Sequence, residues 1–169
     1  LRWIDKWTQM EYEGLHFADD WGEQARLLIR PATWRKLFKP RYAEMFKKVH
    51  DAGMHVWFHT DGHINDIFGD LIEAGVDVIN SQVKVVGLDW LAANVRGKVA
   101  FRTDIDRQHV MPFGSTSQVK EEVHAVFEAC GTPDGGIIAC GEVGPDVPLE
   151  NVLAMFEHAR TYVPSFAKG

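Results

Sequence analysis

The sequence is poor in cysteine: its 169 residues contain two, Cys130 and Cys140. That is too few for a disulfide framework, and it suits a reducing cytoplasm, where we expect the protein to work. No apolar run approaches the roughly 18 residues that a membrane span needs, so we expect no membrane partner. Basic residues are not in excess, since 18 Lys and Arg stand against 24 Asp and Glu for a net charge of −6. This argues against a nucleic-acid partner, which selects a basic face. Linkers, low-complexity tracts and internal repeats are missing, as is any signal-peptide pattern, and the chain begins at Leu1 rather than Met. With 46% hydrophobic and 25% charged residues the composition excludes wholesale disorder, and we expect residues 1–169 to form a single α/β domain.

What is present is a regular alternation. Short runs rich in β-branched and aromatic residues, bounded by Gly, Asp or Asn, predict strands at 14–18, 54–59, 76–80, 99–103 and 136–140. Most lack polar alternation, as expected of parallel strands covered on both faces. Amphipathic stripes predict the helices between them. One contains Trp34, Leu37 and Phe38 and continues through Tyr42, Met45, Phe46 and Val49, with a break expected at Pro40. Another carries Ile64, Ile67, Phe68, Leu71 and Ile72 and closes at Gly75. Leu88, Leu91 and Val95 mark a shorter one. Val119, Val123, Val126 and Phe127 follow the capping residues Ser115 to Ser117, and a last helix runs from about Pro148. Five βα units of this size fit either a doubly wound open sheet or part of a (β/α)8 barrel. The first lacks its phosphate-binding glycine fingerprint, and a complete barrel normally needs at least about 200 residues.

In a parallel α/β protein the working residues sit at the C-terminal ends of the strands. Here those ends are crowded with Asp19, Asp20 and Gln24, then His59, Asp61 and His63, then Asn80 and Gln82, then Asp104, Asp106, Arg107, Gln108 and His109, and finally Cys140 and Glu142. The opposite ends carry little, which marks the crowded side as a site for a small-molecule substrate. His59 and Asp61, two apart at a strand end, can point to one opening. With Glu142 or Cys140 they can hold a zinc-like ion and leave a coordination position open. The plainer reading makes His59 a barrel-lining histidine held by a carboxylate. Asp106 can act as a general base or orient a substrate N–H, and equally it can cap a turn. Asp104 reads as solvated or turn-forming. Of Asp19 and Asp20, one is expected to face the site and the other to cap the loop that Gly22 closes. Arg102 and Arg107 can receive substrate carboxylates through their planar guanidinium groups. Cys130 reads as core, and Trp3, Trp7 and Trp34, at helical spacings, read as packing.

Several of these segments occur together in an order that resembles a known family: D-D-W-G-x-Q from Asp19, R-P-x-x-W-R-K-L-F-K-P-R-Y from Arg30, W-F-H-T-D-G-H-I from Trp57, D-L-I-E-A-G-V-D-V-I-N-S-Q from Asp70, D-I-D-R-Q from Asp104, P-F-G-S-T-S-Q-V-K-E-E-V from Pro112 and D-V-P-L-E-N-V-L-A-M from Asp146. They resemble the C-terminal portion of the uroporphyrinogen decarboxylase family, whose wider superfamily includes cobalamin-dependent methyltransferases. The resemblance implies a partial (β/α)8 TIM barrel of about five βα units with parallel strands. It also implies a fragment lacking an N-terminal half, which would pair with another copy as a homo-oligomer or need the missing segment.

Two activities follow from the resemblance. One is decarboxylation of tetrapyrrole acetate side chains in porphyrin biosynthesis, a lyase reaction without cofactor. Among the strand-end groups, Asp106, His59 and Asp20 are then the candidates for catalysis, and Arg102, Gln108, Gln82 and Asn80 for substrate binding. Decarboxylase members carry a His before the D-V-P-x-E-N segment, where this chain has Gly141. The alternative is zinc-dependent methyl transfer from a methylated compound with a corrinoid carrier. Members of that type bind zinc through His-x-Cys and a later Cys; here His59 matches the His, Asp61 replaces the first Cys, Cys140 lies one position from the second, and Glu142 is its acidic neighbour.

Overall fold

The computed structural model describes residues 1–167. Its strands, β1 Gly14–Ala18, β2 His55–Thr60, β3 Val78–Ser81, β4 Ala100–Thr103 and β5 Ile137–Ala139, lie in one sheet in the order β1-β2-β3-β4-β5 and alternate with helices. β1 runs parallel to β2 with Ala18 opposite His59, and β4 runs parallel to β5 with Thr103 opposite Ala139. All five expected strands are present, with ends displaced by no more than two residues. The chain divides into two compact units, Leu1–Asn80 and Ser81 onward.

In the first unit the helices are α1 Ile4–Trp7, α2 Pro31–Leu37, α3 Lys39–Asp51 and α4 Asn65–Ala74. The break expected at Pro40 falls earlier, at Phe38. Pro40 sits in the first turn of α3, where a missing backbone N–H leaves no hydrogen bond unmade. Gly75 closes α4 at φ 110°, a left-handed cap that a residue with a Cβ adopts only with strain. Trp34, Phe46, Phe58 and Phe68 are completely buried, and Tyr42 stacks on Phe46 at 5.4 Å and meets Phe58 edge-on at 5.2 Å. Each such pair contributes about 0.5–1.5 kcal/mol beyond the apolar area it buries. Trp3 and Trp7 differ from expectation: they touch each other but stay 66% and 45% exposed.

Burial along β2 alternates. Val56, Phe58 and Thr60 are fully buried, while His55, Trp57 and His59 point to the opposite, more open face. The two-residue period of a strand thus sets His59 on the accessible side. This corrects the expectation of two covered faces for this strand.

In the second unit the helices are α5 Val83–Val86, α6 Leu88–Asn94, α7 Val110–Phe113, α8 Thr116–Cys130 and α9 Leu149–Thr161. The Ser115 hydroxyl accepts from the Gln118 amide and the Gln118 carboxamide accepts from the Ser115 amide, a capping box that starts α8. Val119, Val123 and Val126 face the core with Cys130, whose thiol burial pushes up to about 12, so it stays protonated and inert. Asn151, 2% exposed, donates to the carbonyls of Met111 at 3.0 Å and Gly114 at 2.8 Å and so ties α9 to the turn between α7 and α8. Among the described residues no helix is long and apolar enough to cross a membrane.

Candidate functional site

The first unit gathers three potential ligands at and just beyond the C-terminal ends of β1 and β2. One ligand atom each from Asp20, His59 and Asp61 lies within 4.8 Å of the others. His59 Nε2 is 3.6 Å from Asp20 Oδ1 and 3.7 Å from Asp61 Oδ1. On the other side of the ring, His59 Nδ1 donates to Asn80 Oδ1 at 2.8 Å. In the neutral imidazole this bond leaves the lone pair on Nε2, aimed at the carboxylates. Asn80 is itself buried at 7% exposure, so the ring is fixed from below.

The two loops that carry these groups are stitched together through the backbone. The Asp19 amide continues the β1–β2 ladder to the His59 carbonyl at 3.1 Å, the Gly22 amide donates to the Asp61 carbonyl at 3.0 Å, and the His63 amide donates to the Glu23 carbonyl at 2.7 Å. The Asp61 amide donates to Asp20 Oδ1 at 3.0 Å, and the Trp21 amide to Thr60 Oγ1 at 3.1 Å. Such contact needs two glycines. A Cβ on Gly22 would sit 2.5 Å from His63 N, and one on Gly62, at φ 81°, would meet the Gly22 backbone.

Asp19 and Asp20 divide differently from expectation. Asp20 both faces the site and accepts from the loop amide, while Asp19 turns into the aromatic wall. There the Tyr42 hydroxyl donates to Asp19 Oδ2 at 2.7 Å and accepts from Trp21 Nε1 at 3.0 Å. Burial, together with the Asp19 carboxylate, holds the Tyr42 phenol far above its ordinary pKa, so it stays a donor. Nothing in the local pattern distinguishes the two aspartates. The register of β1 against β2 does.

The second unit brings other candidates together. Gln82, Asp106 and Gln108 line a cavity of about 20 Å³ with Lys84, Asp104 and Arg107, room for about one water molecule. Asp106 Oδ1 accepts from the amides of Gln108 at 2.9 Å and His109 at 3.0 Å, so this carboxylate caps the turn into α7. Asp104, expected to be solvated or turn-forming, is buried, with Oδ2 3.9 Å from Arg107 Nη1, and Arg107 also pairs with Glu142. Arg102 lies opposite Ile138 on β5. Cys140 lines a small apolar cavity with Ile105, Phe127 and Met155. Gly141 packs against the sulfur and methyl of Met155, which is 2% exposed, so a side chain here would have to displace a buried one. Asn151, part of the quoted D-V-P-L-E-N segment, escaped the sequence reading because a buried amide serving two carbonyls leaves no periodic signal.

A parallel α/β sheet in the sequential order β1-β2-β3-β4-β5, with its histidine and carboxylates at the strand ends, places the protein in the (β/α)8-barrel class, as a partial barrel. Within that class the chain belongs to the uroporphyrinogen decarboxylase (URO-D) family, which residues 13–162 match. Its structure is similar to that of a methyltransferase from Methanosarcina mazei, with a TM-score of 0.66 at 17% sequence identity, covering 94% of this chain and 45% of that one. A likeness at that identity concerns the fold, and the chain spans less than half the length of the methyltransferase. None of the curated proteins matches the sequence.

Proposed function

We propose that the chain carries the metal-binding part of a methyl-transfer enzyme of this superfamily, acting on a methylated small molecule with a corrinoid carrier. The observation that supports this reading best is His59, with Nδ1 anchored on Asn80 and Nε2 turned to the carboxylates of Asp20 and Asp61. Ligating histidines characteristically donate their second ring N–H to an oxygen in this way. One imidazole and two carboxylates make a chemically suitable donor set for zinc or a related dication, with room for a further ligand. When bound there, the ion would act as a Lewis acid that lowers the pKa of a coordinated acceptor thiol or hydroxyl. The protein's own part is to orient: Asn80 sets the imidazole, the Asp61 amide holds Asp20, and the paired glycines bring both loops to one place.

The fold likeness to a methyltransferase is consistent with this reading. The family match favours a second one, cofactor-free decarboxylation of tetrapyrrole acetates, with Asp106, His59 and Asp20 handling protons. Against it, Asp106 Oδ1 is engaged by two amides, and Gly141 stands where decarboxylase members carry a histidine. Elemental analysis of the purified chain separates the two. Near one zinc per chain, lost in His59→Ala, supports methyl transfer. A folded, metal-free chain that converts uroporphyrinogen, alone or with the complementary part of the barrel, establishes decarboxylation instead.

A further inference from the structure

We infer that Asp20 is the third protein ligand and that the site is thiolate-free, taking divalent cations that favour oxygen and imidazole. This rests on the metal-dependent reading above and deepens it by excluding a thiolate ligand and narrowing the class of cation.

Two features converge on Asp20, and a third bears on the absence of a thiolate. The first is position: its carboxylate completes the one group of three such ligands among the described residues, within 4.8 Å of His59 and Asp61. The second is restraint. The β1–β2 ladder runs on through the Asp19 amide, and the Asp61 amide then fastens Asp20 Oδ1 at 3.0 Å, so the carboxylate is held toward His59 rather than waving in solvent. Its neighbour Asp19 is withdrawn by Tyr42 and cannot compete for the place. The third is composition: the stretches that carry the cluster, residues 19–24 and 59–64, contain no cysteine. Of the two cysteines in the chain, Cys130 is a buried, protonated core thiol and Cys140 lines an apolar cavity with Ile105, Phe127 and Met155.

The donor set determines what is bound. Two carboxylates balance the charge of a dication beside a neutral imidazole, and they are hard donors, whereas thiolates select softer ions. A thiolate-rich zinc site discriminates strongly against Mn2+; an imidazole with two carboxylates accepts it. The Asp20 side chain is 59% exposed and those of His59 and Asp61 are each 25% exposed, so a bound ion would remain open to solvent and exchangeable.

The test uses the whole chain, freed of metal by a chelator and checked by circular dichroism. Mn2+ alone is added and followed by the loss of its free electron paramagnetic resonance signal. Co2+ alone is added and followed by its absorption spectrum. The expected result is one Mn2+ per chain and a Co2+ spectrum without a thiolate charge-transfer band. His59→Ala should abolish binding, Cys140→Ser should leave it unchanged, and Asp20→Asn should weaken it by about tenfold or more. Asn keeps an oxygen for the Asp61 amide, so this variant removes the charge and spares the loop. Unchanged Mn2+ affinity in Asp20→Asn, or a Co2+ thiolate band that vanishes in Cys140→Ser, overturns the inference while leaving the metal reading in place. If a folded chain binds none of Mn2+, Co2+ and Zn2+, or binds them equally well in His59→Ala, the metal reading itself falls.

Discussion

His59 Nδ1 and Asn80 Oδ1 are 2.8 Å apart, and this one bond decides which ring nitrogen faces the carboxylates. Remove the acceptor and the imidazole loses both its tautomer preference and its ring orientation. Asn80→Ala should therefore weaken zinc binding by about 10–100-fold, the usual effect of deleting such a partner. Asn80→Asp, which keeps an oxygen in place, should bind within about tenfold of the parent. Competition against a chromogenic chelator measures both. Equal affinity in Asn80→Ala would remove Asn80 from the site.

Gly62 tests the stitching of the two loops. At φ 81°, with the Gly22 backbone where a Cβ would go, Gly62→Ala must strain the chain and push the loops apart. A left-handed residue with a Cβ costs of order 1–3 kcal/mol before the clash is counted. Urea denaturation should show a loss at least that large, whereas Gly69→Ala, where a Cβ meets nothing within 4 Å, should be neutral or slightly stabilising because the position is helical.

Asn151 is a stability residue in the second unit. Its amide serves two carbonyls in a buried place, so Asn151→Leu leaves the Met111 and Gly114 oxygens without that donor. Each buried group left unpaired costs about 1–3 kcal/mol. The thermal midpoint should fall by several degrees. A drop of less than a degree would show that the turn between α7 and α8 holds itself.

The C-terminal segment is tied to α8 by a pH-sensitive clasp. Glu128 accepts from the Ser165 hydroxyl, from the Tyr162 hydroxyl and from the Ser165 amide, and these bonds hold its carboxyl at about 2, below the ordinary 4.5. Burial and the facing carboxylate raise the Tyr162 phenol to about 12. A depressed carboxyl stabilises the fold fully above the unfolded value, and that contribution drains away as pH falls from about 4.5 toward 2. Denaturation from pH 6 to pH 3 should show this loss in the parent and a shallower slope in Glu128→Gln. Parallel slopes in the two would dismiss the clasp.

Much of the architecture was legible locally. The order of strands and helices, the left-handed stop at Gly75, the capping box at Ser115 and the crowding of acids and histidines past the strand ends follow from short-range rules: side-chain periodicity, capping chemistry and the residue types a turn tolerates. The D-D-W-G and H-T-D-G segments could be picked out for the same reason. Their partners could not. Asp20 meets His59 while Asp19 goes to Tyr42 because Ala18 stands opposite His59, and a slip of one residue would exchange the two aspartates. Likewise the sequence leaves Asp106 open between chemistry and a turn, whereas in the fold its Oδ1 accepts from the Gln108 and His109 amides, and Asn80 has its role because β3 sets it beside His59. The sequence alone determined which groups are available at the strand ends. Tertiary structure decided which of them face one another, because that depends on strand register and on the close backbone approach of Gly22 and Gly62, distances between segments far apart in the chain that no local pattern encodes.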